Sequence, residues 1–320
     1  MSLKNKIQTI FCLLAFFVLI NANAETFKFV ALGDMPYNIP NDYIRFERLI
    51  QQINKSQPSF SIFIGDTKSG GTPCSNEHVE KIQRYFNEFE SPLIYSPGDN
   101  EWTDCHRLLA GSFNPLERLQ NLRESFFLSK SSLGKTKLPL IRQPDVMKQF
   151  SQYVENSYWI KNKILFVSLN IPGSNNNFER NLNAVEEYYQ RNSANLAWIE
   201  YTFNVAKKQN LSAIVFAYQA DMFYSPNQAT DLSSGYRDTL NSFTVNAERF
   251  NNPVLLIHGD SHFLKIDQPL KTSNKKNVLE NVVRLQVMGE EQIQAVEITI
   301  DPNKNSPFSF RPLIVPANSR

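Results

Sequence analysis

The sequence predicts an α/β fold, and three observations carry that prediction. Short apolar runs of strand length alternate with longer stretches of helical spacing. Four of the short runs lead into the same dipeptide, Gly-Asp. The last third holds more strand candidates than helices, which argues against a purely parallel sheet.

Lys4 and Lys6 precede an uncharged apolar run from Ile10 to Ile20, and Ala22-Asn23-Ala24 follows it. This is the pattern of a signal peptide over 1–24, because the run is short for a bilayer span. Cleavage there leaves 25–320 as one domain without a second membrane-length run, and a periplasmic or secreted location is expected. The formal net charge is +2, and the two leader lysines account for it. A near-neutral remainder gives no reason to expect nucleic acid as a partner.

Phe27 to Leu32 reads as the first strand. Asp42 to Asn54 follows with Ile44, Phe46, Leu49, Ile50 and Ile53 at helical spacing. Phe60 to Ile64 is a second strand, Glu77 to Phe89 a second helix, and Pro92 to Tyr95 a third strand. Pro115 suits the first turn of a helix running to Phe127. The polar stretch from Lys130 to Asp145 reads as irregular. Ile164 to Leu169, Ser212 to Ala217 and Pro253 to His258 are further strands, and Ala184 to Lys208 is the longest helix. Val282 to Val287 and Gln294 to Ile300 alternate like the two arms of a hairpin.

Cys12 leaves with the leader, so Cys74 and Cys105 remain. An even pair in an exported chain reads as one disulfide, and no C-x-x-C spacing supports zinc.

The Gly-Asp pairs are Gly33-Asp34, Gly65-Asp66, Gly98-Asp99 and Gly259-Asp260. Eleven glycines and twelve aspartates in 320 residues predict about 0.4 such pairs from composition. A single aspartate after a strand is usually a helix cap. Four at strand ends point to one shared site, where open α/β sheets place their ligands. Carboxylates brought together there repel unless a cation neutralises them.

These blocks resemble the calcineurin-like metallophosphoesterases, whose pattern runs D-x-H, G-D, G-N-H-D/E, a lone histidine, then G-H-x-H. The matching segments are Asp34-Met35-Pro36, Gly65-Asp66-Thr67-Lys68, Gly98-Asp99-Asn100-Glu101, Tyr218-Gln219-Ala220-Asp221 and Gly259-Asp260-Ser261-His262, in the family's order and over nearly the whole chain. The resemblance implies a four-layer α/β/β/α sandwich with mixed sheets. It implies one metal held by Asp34, Asp66 and His262, and a second held by Asp66, Asp99, Asp260 and Gln219 (or Tyr218, if the alignment slips by one). Tyr37 is a further candidate ligand, as a phenolate, although its motif position differs from that of the purple acid phosphatase tyrosine.

The chain departs from the pattern in its histidines, of which it has four. Only His262 falls on a ligand position. Pro36, Asp99, Asn100, Gln219 and Asp260 stand where the family has other ligands or, at Asn100, the histidine near the leaving group. The oxygen-rich set suits Mn²⁺, Mg²⁺ or Ca²⁺ better than Zn²⁺, with Fe the remaining candidate. The reaction implied is hydrolysis of a small-molecule phosphoester by a metal-activated hydroxide, with Asn100 at the catalytic position. The alternative is a catalytically impaired relative that binds metal or a phosphorylated ligand. Lys68 is a candidate phosphate contact; His106 and His258 are candidate proton donors, His258 reading more readily as structural. Asn170 and Asn175 are candidate substrate contacts.

Overall fold

β1 (Phe27–Leu32) shows how the layers arise. Successive side chains of a strand point to opposite faces. Phe27, Phe29 and Ala31 enter one core, while Val30 and Leu32 enter another. This computed structural model describes residues 24–178, 180–224 and 233–319. The leader pattern over 1–24 therefore lies almost wholly outside the described residues.

Five strands make the first sheet, in the order β12-β11-β1-β2-β3. β2 (Ser61–Phe63) and β3 (Leu93–Tyr95) run parallel to β1; β11 (Ala295–Ile300) runs antiparallel to β1 and to β12 (Phe308–Leu313). The second sheet has seven strands, ordered β4-β5-β6-β7-β8-β10-β9. Its parallel centre is β6 (Ile164–Ser168), β7 (Ala213–Ala217), β8 (Val254–His258) and β10 (Val282–Gln286). β4 (Ile141–Arg142), β5 (Ser157–Lys161) and β9 (Lys265–Asp267) pair antiparallel at its margins.

Phe29, Ile62 and Ile298 of the first sheet share a core with Phe166, Val215 and Leu255 of the second. Phe60 and Phe166 meet edge to face at 4.9 Å, and Trp159 stacks on Phe166 at 5.2 Å. The outer face of the first sheet packs on α1 (Asn41–Ser56), α2 (Asn76–Phe86) and α3 (Pro115–Phe126). The outer face of the second packs on α4 (Leu182–Lys208) and α5 (Arg237–Phe250) through Trp198, Phe203, Phe216 and Phe243. This is the α/β/β/α sandwich, with both sheets mixed.

Three expectations fail. Val282–Gln286 and Ala295–Ile300 are not a hairpin: β10 lies in the second sheet and β11 in the first. Alternation within each run was real, but both strands use it to face the space between the sheets, as Leu285 and Ile298 show. Ile44 lies outside the buried stripe of α1 and is 51% exposed. The stretch from Lys130 to Asp145 contains β4, which Arg142 and the Asp145 cap hold in place. α5, β5, β9 and β12 went unpredicted.

Cys74 and Cys105 are bonded, both buried, with Cα atoms 5.8 Å apart. The bond joins the segment after β2 to the segment after β3. The double variant Cys74→Ser/Cys105→Ser is expected to unfold in urea with about 3–4 kcal/mol less stability; an unchanged urea midpoint and slope would contradict a stabilising role.

Candidate metal centre

The strands that end in Gly-Asp deliver their aspartates to one place. Among the described residues, ligand atoms of Asp34, Asp66 and His262 lie within 4.8 Å of one another, and so do those of Asp66, Asp99 and Asp260. Asp66 belongs to both groups. Asp34 and Asp66 are buried to 2% exposure or less, while His262 reaches the surface.

The sharp turn falls mainly on the aspartates themselves. Asp34, Asp66 and Asp260 have φ of 54°, 57° and 74°, and His262 has 64°. Left-handed backbone at non-glycine residues costs on the order of 1–3 kcal/mol each and gathers at functional sites. The glycines chiefly provide room. A Cβ on Gly98 would stand 2.1 Å from Asp66 Oδ1, and one on Gly259 would stand 2.2 Å from Asp34 Oδ2. Glycine is needed there so that backbone and carboxylate can touch.

Each carboxylate is held by its surroundings. The Asp260 N–H donates to both oxygens of Asp34 at 3.1 Å. The Asp221 N–H donates to Asp260 Oδ2 at 2.9 Å. Asp66 Oδ2 accepts from Tyr37 Oη and Asn100 Nδ2, each at 2.8 Å, and its Oδ1 accepts from the Asn100 N–H at 3.2 Å. Glu101 takes the N–H groups of Asp66 and Thr67 at 3.0 and 3.2 Å and the Tyr95 hydroxyl at 2.9 Å. The turn after β2 is thereby tied to the turn after β3.

Burial and mutual repulsion act on these groups in the same direction. Burial first, then Asp260, holds the Asp34 carboxyl well above the usual carboxylate range. Burial and then Asp99 do the same to Asp66. Asp260 is pushed up to about 7, by burial and next by Asp99. A divalent cation favours the ionised form of each and relieves the repulsion, so the donor set fits one. One group offers two carboxylates and an imidazole, the other three carboxylates. That is a hard, oxygen-rich environment.

The remaining candidates divide. Gln219 reaches the cluster: its Nε2 lies 3.2 Å from Asp66 Oδ2 and 3.3 Å from Asp99 Oδ1, and its Oε1 accepts from the Gly173 N–H. Tyr218 is turned away, stacked on His258 and Phe243. Tyr37 Oη lies 3.3 Å from His262 Nε2 and 3.1 Å from Asn100 Nδ2, within the cluster. Asn100 thus faces Asp66 and Tyr37.

Lys68 does not reach a surface where phosphate could meet it. It is 1% exposed, and its ammonium donates to the Ser69 carbonyl at 3.3 Å. His258 is fully buried beside its own Gly259 carbonyl, and burial pushes it down to about 4. It cannot hold a proton for transfer at neutral pH. His106 lies at the surface with its Nδ1 on the Thr103 carbonyl at 2.8 Å. Asn170 is buried against Glu155, and Asn175 is engaged by Gly235 and Ser233. Neither is available to a substrate.

Ser174, at the centre, went unsuspected. Ser174 Oγ stands 2.7 Å from Asp99 Oδ2 and 2.8 Å from Asp104 Oδ1. With a single proton, that hydroxyl donates to only one carboxylate at a time. Burial first, then Asp99, pushes Asp104 up to about 7, and the Arg107 guanidinium opposes that rise. Ser174 to Asn177 form a left-handed turn, with φ of 48°, 50°, 57° and 64°. Arg191 and Tyr236 fasten this turn through Asn176, and Glu187 fastens it through Asn177. The Asn-Asn-Asn run was the available signal, because asparagine tolerates this backbone better than most residues.

No protein-family model matches the sequence, and neither does any curated protein. Solved structures do match. A dimetal phosphatase from Danio rerio superposes with a TM-score of 0.54 at 10% identity, over 90% of this chain and 99% of that one. GAP50, the anchor in the inner membrane complex of Plasmodium, gives 0.51 at 11% identity, over 91% and 89%. PhoD gives 0.51 at 11% identity, over 91% and 69%. At such identities the likeness is one of fold. The chain therefore has the calcineurin-like metallophosphoesterase fold.

Proposed function

We propose that this chain is an exported, divalent-metal-dependent phosphoester hydrolase acting on small-molecule substrates. The observation that carries the reading is the pair of ligand triads joined through Asp66. Asp34, Asp66 and His262 would hold one ion, and Asp66, Asp99 and Asp260, with Gln219 beside them, a second. Manganese, magnesium, calcium and iron are the ions such a set admits. When bound, these ions supply a nucleophilic water at neutral pH and neutralise phosphoryl charge.

The chain's own residues do the rest. Glu101 fixes the backbone that aims Asp66. Asn100 orients Asp66 Oδ2 and the Tyr37 hydroxyl with one amide group. Buried walls around Asp34 and Asp99 keep bulk water from screening the charges. Among the described residues no helix is long and apolar enough to cross a membrane.

A second reading has one observation in its favour. Asn100 donates hydrogen bonds but has no proton to give a leaving group at neutral pH. Without such an acid the site would hold metal and phosphate and turn over only esters of acidic alcohols. General acid help is typically worth ~10²–10⁴ in rate. Substrates with phenol-like leaving groups are therefore the sensitive probes.

Asp66→Asn removes the carboxylate common to both triads. With Mn²⁺ present, hydrolysis of p-nitrophenyl phosphate is expected to fall more than about a hundredfold, together with metal content measured by elemental analysis. Metal retained in full, with activity absent in both proteins, would favour the binding reading.

Protonation gives an independent check. In the metal-free protein, Asp34, Asp66 and Asp260 hold protons more tightly folded than unfolded. Their contribution to stability is therefore lost as pH rises from the ordinary carboxylate range, about 4, through the value of about 7 at Asp260. Metal binds the ionised groups and competes with those protons. The rise in Tm on adding Mn²⁺ to chelator-treated protein should grow between about pH 5 and about pH 8. A rise that is the same at both ends would contradict this cluster as the metal site.

A further inference from the structure

Arg107 closes the segment that begins at Gly98-Asp99. Its guanidinium Nη2 pairs with Asp104 at 2.7 Å and lies 3.4 Å from Ser174 Oγ. The same Ser174 hydroxyl touches Asp99, so one small side chain links the guanidinium to a metal-ligand candidate. About half of the Arg107 side chain is exposed, whereas Asp104 is buried. The arginine is thus anchored by one nitrogen at the mouth of the cluster. Among the described residues, its Nη1 and Nε make no hydrogen bond to protein.

Gly70 shows where the free edge points. A Cβ on Gly70 would lie 2.9 Å from Arg107 Nη1 and 2.9 Å from Asn100 Oδ1. Its φ is not positive, so the backbone there does not demand glycine. What demands it is space: Arg107 and Asn100 converge over that atom-sized gap. Asn100 in turn bonds Asp66 and Tyr37. The free edge of the guanidinium thus borders Gly70 beside the Oδ1 end of the amide whose Nδ2 end meets Asp66 and Tyr37.

We propose that Arg107 is a phosphoryl-binding residue of this centre and that it makes phosphate monoesters the preferred substrates. For the reaction, this rests on the hydrolase reading; the binding half does not. An arginine fork matches phosphate oxygens in charge and plane, and a fork held at one corner by a buried carboxylate is pre-organised. A monoester carries three non-bridging oxygens and up to two negative charges, a diester two oxygens and one charge. The extra oxygen and charge are what an arginine beside a metal pair can recognise. The anionic cluster makes that cation matter more: Glu101 and Asp104 add to four aspartates, and Lys68 is buried beneath them.

The test uses the full mature chain loaded with Mn²⁺, with metal content measured in every sample. Binding of inorganic phosphate is followed by calorimetry, and kcat/KM is measured for p-nitrophenyl phosphate and bis-p-nitrophenyl phosphate. Arg107→Ala is expected to keep its metal and weaken phosphate binding at least about tenfold. Its kcat/KM for the monoester should fall at least about tenfold further than for the diester. Gly70→Ala is the second variant: its Cβ would crowd both Arg107 Nη1 and Asn100 Oδ1 while leaving the Asp104 pair intact, and it should weaken phosphate binding in the same direction. Unchanged phosphate affinity in both metal-replete variants overturns the proposal, as does an equal loss on monoester and diester. Phosphate binding that needs Arg107 in a protein without turnover would uphold this inference and sink the hydrolase reading. Turnover indifferent to Arg107 and Gly70 would do the reverse.

Discussion

The mutual repulsion of buried carboxylates is the constraint on which this molecule turns. Four aspartates, each after a glycine, meet in two groups that share Asp66, and Asp34, Asp66 and Asp99 are buried where water screens them little. The carboxyls of Asp34, Asp66 and Asp260 are forced upward in pKa, or a cation must stand between them. Much of the surrounding structure serves to hold that arrangement. Strained turns aim the aspartates, glycines let backbone and carboxylate touch, and Glu101 and Asp221 bind the turns from behind. The disulfide joins the segment that follows Asp66 to the segment that follows Asp99. Two sheets are required because the aspartates come from both: Asp34, Asp66 and Asp99 from the first, Asp260 from the second.

What could be read from the sequence followed from how local each signal is. The Gly-Asp pairs announced themselves because strand, turn and ligand are adjacent in the chain. The strands of the parallel centre were equally plain, being short runs buried on both faces. Partnership between strands was not legible: β10 and β11 look like a hairpin because alternation reports a half-buried face but not which sheet owns it. α5 and β12 were missed for a related reason. Their apolar residues are few, and their place is fixed by distant contacts such as Phe243 on Phe216 and Leu313 on the α1 side of the first sheet.

Polar residues were the hardest to place. Lys68 stands near Asp66 in sequence and Asn170 and Asn175 flank a strand end, yet each is held by protein atoms. Ser174 and Arg107 gave no signal of their own, because their meaning depends on Asp104, buried between them. The left-handed turn that presents Ser174 is held by Arg191 and Tyr236, residues that only the fold brings near. Nearness in sequence finds ligands that share a turn. It does not find groups that meet across three loops.

Replacing imidazoles by carboxylates changes more than the choice of metal. A histidine ligand is neutral and an aspartate carries a full charge, so Asp260 at a histidine position makes the centre more anionic. Ions bound there would be held more firmly and would keep less positive charge. Both effects disfavour a second anion approaching the same ions, and a phosphate monoester is such an anion. A centre of this composition needs a fixed cation outside the ligand set to recover attraction for substrate. Lys68 is too deeply buried for that role, and His262 is committed to the cluster. Arg107 is a cation at the mouth whose side chain remains half in solvent beside Asp104. On this argument a carboxylate-rich ligand set and an anchored Arg107 belong together: the more anionic the centre, the more a fixed cation at its rim is needed to attract an anionic substrate.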